Sequence, residues 1–308
     1  RGALLRLGLR GAVGWGECAP LPGFSDETHD AALADLRRAA TELAKGSSPT
    51  PRTPSAACAL DAAFQGLCQS LNDETREASA ELANHGYARH PHRGSQSVNA
   101  VLLEAEPPEQ ARQLYEEGYR AIKLKVGGDP GRDARRVLEV AETGAKLRLD
   151  ANRAWTVAQA RDFFSALGPA RIQYIEEPVS SLEGSRQLAL EGVPVALDES
   201  LKGMAMREIE LLDWPVALVL KPMILGGIRR CRAIAEAALN AGIIPVVSSS
   251  IETGVGLSAL ALFAASLGTI DVPAGLGTSR LLGAVTIAPA FAGGPEMAVG
   301  EPFTVLLT

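Results

Sequence analysis

From residue 97 onward, short apolar runs alternate with segments whose apolar side chains recur at helical spacing. The runs cover 97–102, 121–126, 146–150, 172–176, 195–198, 217–221 and 244–248, with a weaker one near 269–272. Stretches such as 108–117, 132–142, 158–167 and 228–241 carry the helical period between them. Eight β/α alternations of this kind predict a TIM-type barrel, with a doubly wound open sheet as the alternative. The polar residues closing the strands are Lys125, Asp150, Glu176, Asp198, Lys221 and Ser248, at gaps of 25, 26, 22, 23 and 27 residues. That spacing is about one βα unit each. An open sheet would scatter these ends along an edge, whereas a barrel gathers them at one mouth.

The N-terminal part has a different texture. Residues 3–16 read as a hairpin around Arg10-Gly11. Asp26–Ala44 and Ala56–Leu71 read as helices, the second with Ser55 placed as its N-cap, and Glu74–Asn84 as a third. The stretch Pro20-Leu21-Pro22-Gly23-Phe24-Ser25 excludes regular structure. It fits a surface turn and a lid over a pocket equally, since Leu21 and Phe24 are apolar side chains on a loop. The polar run 85–96 marks a domain boundary, giving a cap over 1–95 and a barrel over 96–284. The end of the chain, 285–308, is expected to complete the cap, with 301–308 as an edge strand.

The strand 120–126 concentrates the chemistry. Ile122, Leu124 and Val126 alternate with Lys123 and Lys125, so both ammonium groups share one face. Crowded ammonium groups need carboxylates nearby or a depressed pKa. Asp150, Glu176 and Asp198 each end a strand, and any one of them alone reads as a helix cap or a solvated charge. Three at successive strand ends would repel across a barrel mouth, and a hard divalent cation such as Mg²⁺ resolves that. With no His or Cys among them, zinc does not fit.

Lys125 precedes the first acid and Lys221 follows the last, so in a ring they face each other across the metal. Beside Lys123 and a divalent cation, the pKa of Lys125 is expected to fall toward neutrality. The arrangement suits proton removal next to a carboxylate. The plain alternative is structural pairing of lysines with acids. Arg148 and Asn152 share the strand phase of Asp150, and Glu177 and Glu199 are placed to tie down lysines or metal waters. Ser248-Ser249-Ser250 fits a carboxylate-binding turn or a plain one. Gly226-Gly227 and Gly275 leave room for substrate or permit a turn.

Composition narrows the class. The 308 residues are 46% hydrophobic and 21% charged with net charge −6, an ordinary globular balance without the basic run that nucleic-acid binding needs. No apolar run approaches the ~20 residues of a membrane span, and no secretory leader is visible in a chain that begins at Arg1. Cys18, Cys58, Cys68 and Cys231 lack CxxC spacing and are expected reduced, buried and cytoplasmic. His29, His85, His90 and His92 also lack metal spacing and read as solvated. No GxSxG, P-loop or dinucleotide fingerprint is present, and nothing in the pattern requires a dimer.

Lys123-Leu-Lys125, Asp150-Ala-Asn152, Glu176-Glu177-Pro178, Asp198-Glu199-Ser200 and Lys221-Pro222 stand in this order over nearly the whole chain. Together they resemble the muconate-lactonising-type subgroup of the enolase superfamily, which implies a (β/α)7β TIM-type barrel with an α+β N-terminal capping domain. Within it, 14–25 with Glu27-Thr28, 148–156, 248–252 and 273–276 are similar to the o-succinylbenzoate synthase family. The likeness implies Mg²⁺ (Mn²⁺ as a substitute) on Asp150, Glu176 and Asp198. It implies Lys125 as base then acid, Lys221 as the opposing cation, and Lys123, Arg148, Asn152, Ser248 and Gly275 toward a small carboxylate substrate. Pro20 to Ser25 would close over it.

The implied reaction is dehydration of 2-succinyl-6-hydroxy-2,4-cyclohexadiene-1-carboxylate to o-succinylbenzoate, toward menaquinone or phylloquinone. Two departures stand out: a strand the family has before residue 1 is not seen, and Gly275-Leu276-Gly277-Thr278 lacks the usual acid after Gly-Leu. An N-succinylamino acid racemase remains an alternative because it uses the same lysine pair. A dipeptide epimerase is disfavoured because Asp271-Val272-Pro273 is not its Asp-x-Asp. A barrel without catalysis is the remaining alternative.

Overall fold

A computed structural model describes residues 1–71, 82, 94–103, 108–168, 172–269, 271–282, 286–288, 294–300 and 303–306. The expected helix 74–84 lies outside these apart from Leu82, as do His85, His90 and His92.

Strands β1 (Ala3–Leu9) and β2 (Ala12–Cys18) pair antiparallel with Leu9 opposite Ala12. Arg10 and Gly11 both take positive φ, 49° and 86°, the geometry of a tight two-residue hairpin. Helix α1 (His29–Ala44) begins at Thr28, whose hydroxyl accepts from the Ala31 N–H at 3.2 Å. Helix α2 spans Pro54–Ser70 and starts from Thr53, so Ser55 is not its N-cap. Proline supplies the first helical residue, where its missing N–H has no intrahelical partner to lose. Ser55 instead donates through its hydroxyl and N–H to Glu27 Oε1, at 2.7 and 3.0 Å.

The hairpin sits directly on α2. A Cβ on Gly14 would lie 1.8 Å from the Ala63 carbonyl oxygen, and one on Gly16 1.8 Å from that of Ala59. Only glycine permits that approach. Leu5, Cys18, Leu36, Ala59 and Leu60 close a small core between hairpin and helices.

Seven parallel strands form the larger sheet in sequential order: β4 (Ala100–Leu102), β5 (Ala121–Lys125), β6 (Lys146–Asp150), β7 (Ile172–Glu176), β8 (Val195–Leu197), β9 (Ala217–Leu220) and β10 (Ile244–Val247). Helices α3 (Glu109–Glu116), α4 (Pro130–Ala141), α5 (Val157–Leu167), α6 (Leu182–Leu190) and α7 (Ile228–Asn240) lie between strands, and α8 (Gly254–Ser266) follows the last. Leu124, Leu149, Ile175, Leu197 and Leu220 join Val137, Phe163, Leu188 and Ile234 of the helices in one buried core. The alternate residues turn to the opposite face.

Of the weak strand expected over 269–272, Ile270 lies outside the described residues, and the Val272 N–H donates to Thr269 O at 2.9 Å as in a turn. The next two residues after Pro273 do the pairing. Ala274 exchanges bonds with Ser97 and Asn99, and Gly275 with Val247 and Ser249, at 2.8–3.0 Å. One short stretch thus bridges the chain beside both edges of the sheet. Sequence pattern misplaced it because two residues carry no period.

The expected run 97–102 divides into β3 (Gly94–Ser97) and β4, with Val98 and Asn99 between. The chain's last described strands do not join the β1–β2 hairpin. The strand Ile287–Ala288 pairs with Thr304–Val305, and Glu296–Val299 pairs with β3.

Candidate active site

Sheet register sets the first row of the site. Lys125 on β5, Asp150 on β6 and Glu176 on β7 are direct Cα neighbours. Asp198 and Lys221 follow β8 and β9 immediately. Six of the expected side chains stand in two ion-paired groups, Lys123 and Lys125 with Asp150 and Glu176, and Lys221 with Asp198. Lys123 Nζ lies 2.9 Å from Asp150 Oδ2 and also donates to Glu176 Oε2. Lys125 Nζ lies 2.8 Å from Asp150 Oδ2 and contacts Asn152 Oδ1. Lys221 Nζ pairs with Asp198 Oδ2.

Of the two ways to relieve crowded ammonium groups, the site uses carboxylates. Burial alone would depress Lys123, but Glu176, Asp150 and Asp198 outweigh it and hold its pKa well above the usual lysine value. Burial likewise opposes the Lys221 charge, and Asp198 reverses the balance upward. Burial also works to raise Asp150, yet Lys123 and Lys125 keep it well below the usual carboxylate range. Glu176 goes the other way, to about 7, because burial exceeds the pull of Lys123 and the charges of Asp150 and Asp198 add to it.

Among the described residues, no three His, Cys, Asp or Glu side chains stand grouped as a metal cluster. Lysine ammonium groups pair with the carboxylates. The donor set still fits a hard cation, being all oxygen, buried and rich in negative charge. Glu199 adds to that charge. Its Oε1 accepts from Asn152 Nδ2 at 3.2 Å while the buried Oε2 has no partner among the described residues. Burial and then Asp198 raise its pKa.

Glu177 ties neither lysine. Its φ of 42° turns the side chain sideways along the strand ends, and it is fully buried. Oε1 accepts from the Asp198 and Ser200 N–H groups at 2.9 and 2.8 Å, and Oε2 from Arg153 Nε and Ser200 Oγ at 2.9 Å each. It therefore fixes the turn that carries Asp198.

A cavity of about 260 Å³ opens over this row, lined by Lys123, Lys125, Asp150, Asn152, Glu176, Lys221, Ser248 and Gly275. A Cβ on Gly275 would lie 2.5 Å from Ser248 Oγ, so glycine keeps that wall open. Arg148 is not in the lining. It sits one layer back, fully buried, and donates to Gln173 Oε1 at 2.7 Å, Asn99 Oδ1 at 2.9 Å and Pro273 O at 2.6 Å.

Leu21 and Phe24 line the same cavity. Their loop is tied within itself by Leu21 N–H to Ser25 Oγ at 2.9 Å, and to the barrel by Lys202 Nζ to Phe24 O at 2.7 Å. Gly23 and Phe24 line an adjoining cavity with Asp198, Glu199 and Lys202, while Pro20 and Pro22 shape the loop on either side of Leu21. Asn99, Ile224 and Thr278, which sequence phase could not reveal, also line the site, as does Tyr174, which shares the strand phase of Glu176. Asn99 falls between strands and Thr278 lies beyond the unrecognised Ala274–Gly275 pairing.

Residues 106–291 match the family described as Enolase C-terminal domain-like, and residues 1–67 match MenC, N-terminal domain. The muconate lactonizing enzyme from Pseudomonas putida has a similar fold, with TM-score 0.75 and 20% identity over 98% of this chain and 91% of that one. So does a dipeptide epimerase from Enterococcus faecalis V583 complexed with Mg and the dipeptide L-Leu-L-Tyr, with TM-score 0.75 and 22% identity over 97% and 89%. Lysines on either side of three strand-end carboxylates in a parallel sheet, together with the match over residues 106–291, define an enolase-superfamily protein. An o-succinylbenzoate synthase of Edwardsiella ictaluri (strain 93-146) is 35% identical over 286 residues, 91% of this chain and 83% of its own length. The chain belongs to the o-succinylbenzoate synthase family.

Proposed function

We infer that the protein dehydrates 2-succinyl-6-hydroxy-2,4-cyclohexadiene-1-carboxylate to o-succinylbenzoate, as a carbon–oxygen lyase on a quinone-forming route. The observation that carries this is the entry of Lys125 and Lys221 into one cavity from strands that flank the three acid-bearing strands. Asp150, Glu176 and Asp198 would hold Mg²⁺, which would supply positive charge for the substrate carboxylate. Lys125, the most open of the three lysines with a side chain 39% exposed, takes the proton α to that carboxylate. The C–H electron pair forms the exocyclic double bond of a dienediolate and falls back into the ring as the hydroxyl leaves. Lys125 then returns its proton to the departing hydroxyl, the C–O bond breaks, and water leaves as the ring becomes aromatic. Lys221 stays cationic on the far side and stabilises the negative charge on the dienediolate formed by proton removal. Ser248 and Gly275 form the wall for the succinyl arm, Asn152 orients Lys125, and Lys123 holds Asp150 and Glu176 in place. Arg148 acts from behind the cavity.

The sheet bridged at Ala274–Gly275 supports a closed (β/α)7β barrel over 96–284, with 1–95 as the cap. The segment 285–308 would complete the cap where Glu296–Val299 pairs with β3. The loop Pro20–Ser25 would act as the lid. Among the described residues no helix is long and apolar enough to cross a membrane.

The test is a spectrophotometric assay with the cyclohexadiene substrate, with and without Mg²⁺. Metal-dependent aromatisation is the expected result. A folded protein that leaves this substrate unchanged but exchanges the α-proton of N-succinylamino acids in deuterated water would replace the dehydratase reading with the racemase one. The same opposed lysines serve both reactions.

A further inference from the structure

Glu17 is a buried carboxylate to which the reaction gives no task. It lies at the end of β2, 3% exposed, and reaches across the chain to the start of α8. Both oxygens accept from the Thr253 N–H at 3.0 Å, and Oε2 also accepts from Thr253 Oγ1 at 2.6 Å and the Gly256 N–H at 3.0 Å. The N-cap position of α8 is Thr253, which makes no side-chain cap bond of its own. Its hydroxyl is turned to Glu17. A carboxylate from the N-terminal hairpin thus satisfies helix N–H groups that a local cap would normally take.

Each side of this bond leads to one wall of the cavity. Upstream of α8 runs the turn Ser248–Glu252. Ser249 Oγ and the Ser250 N–H both donate to Glu252 Oε2 at 2.6 Å, and Ile251 takes φ 66°. That left-handed conformation is strained for a β-branched residue and needs its surroundings to hold it. Ser248, Ser249, Ser250 and Ile251 line the cavity. Downstream of Glu17, three residues lead to Leu21 and Phe24 on the facing wall.

We propose that Glu17 is a positioning residue, whose carboxylate locks the Leu21–Phe24 loop and the Ser248–Ile251 turn together as the two walls of the substrate pocket. The proposal builds on the dehydratase reading and assigns the hairpin a part in substrate binding. Glu17 touches neither the lysines nor the three acids, so losing it loosens the grip on the substrate and leaves proton transfer largely intact.

Glu17→Gln replaces one acceptor oxygen with a donor facing N–H groups. The control is Asp35→Asn. Asp35 is a buried carboxylate that accepts from the Arg52 and Thr53 N–H groups at 2.6 and 2.8 Å at the start of α2, and it touches neither wall. Steady-state kinetics and amide hydrogen exchange are measured on both, with Thr253→Val as a milder variant that keeps the carboxylate should Glu17→Gln not fold. The expected result is a KM raised about tenfold or more in Glu17→Gln with kcat within about threefold, and about threefold in KM for Thr253→Val. Exchange should accelerate at Ser250, Thr253, Phe24 and Ser25. Asp35→Asn should lower Tm without raising KM.

An unchanged KM in Glu17→Gln (or in Thr253→Val, should Glu17→Gln not fold), or an equal KM rise in Asp35→Asn, would overturn the proposal. Should the wild type not convert the cyclohexadiene, the reaction reading fails separately. Exchange at those four amides then decides alone, and unchanged protection in the variants would refute the positioning role.

Discussion

Glu252 offers a quantitative test of how the pocket wall is held. It is 1% exposed, its Oε1 has no partner among the described residues, and Glu17, Ser249, Ser250 and Cys58 face it. Burial raises its pKa from 4.5 to about 7; the Ser249 hydroxyl opposes this and the Glu17 charge adds to it. The folded state therefore binds this proton more tightly than the unfolded chain does. Stability contributed by the proton is full below pH ~4.5 and is lost as pH rises toward 7.

At about 1.4 kcal/mol per pKa unit, the loss across that window is ~3 kcal/mol, about 6 °C in Tm at roughly 2 °C per kcal/mol for a chain of this size. Glu252→Gln mimics the protonated acid at every pH. Its Tm should match the wild type near pH 4 and exceed it by about 6 °C at pH 8, measured by circular dichroism with saturating Mg²⁺. Any titration of Glu176 is common to both proteins and cancels in the difference. Parallel pH profiles for the two proteins would refute the placement of a high-pKa carboxyl at this turn.

Lys125→Ala should lose on the order of 10⁴-fold in kcat while the Mg²⁺-dependent rise in Tm survives; retained turnover would remove its role as base. Lys221→Ala should be impaired by at least ~10²-fold with little change in KM, since its charge acts on the transition state; near-normal rates would contradict that. Mg²⁺ at about a hundredfold excess over its Kd should stabilise the protein by ~3 kcal/mol, and a flat melting temperature would argue for a barrel that binds no metal. Lys202→Met removes the bonds to Phe24 O and Asp26 Oδ1, each 2.7 Å. Because the Asp26 side chain is 80% exposed, stability should change by less than ~1 kcal/mol, yet KM should rise; an unchanged KM would free the loop from any role in binding.

The chemistry of the mouth was legible because it follows strand phase and spacing. Lys123 and Lys125 alternate with aliphatics, and each acid closes an apolar run, so topology alone assembles them. What stayed hidden depends on partners distant in sequence or on backbone twists. Glu17 and Thr253 are 236 residues apart, and no local pattern marks their bond. Glu177 looked like a companion to Glu176, but its positive φ sends it to Arg153 and Ser200. Arg148 shares the phase of Asp150 and still lies behind the cavity, where Gln173, Asn99 and the Pro273 carbonyl hold its guanidinium. Ser55 lost the capping position to Thr53 because proline can open a helix.

The seam where Gly14 and Gly16 lie against Ala59 and Ala63 has an evolutionary reading. It behaves like a fixed gauge block: the thickness of the contact sets how far the end of β2 projects over the barrel. A single methyl group added there would shift the hairpin, and with it Glu17 and the Leu21–Phe24 loop. Random mutagenesis selected on o-succinylbenzoate synthase activity should therefore reveal a line of intolerance running through a part of the molecule that touches no substrate. Variation in substrate preference would then accumulate in the loop itself, where a side chain can change without moving the gauge.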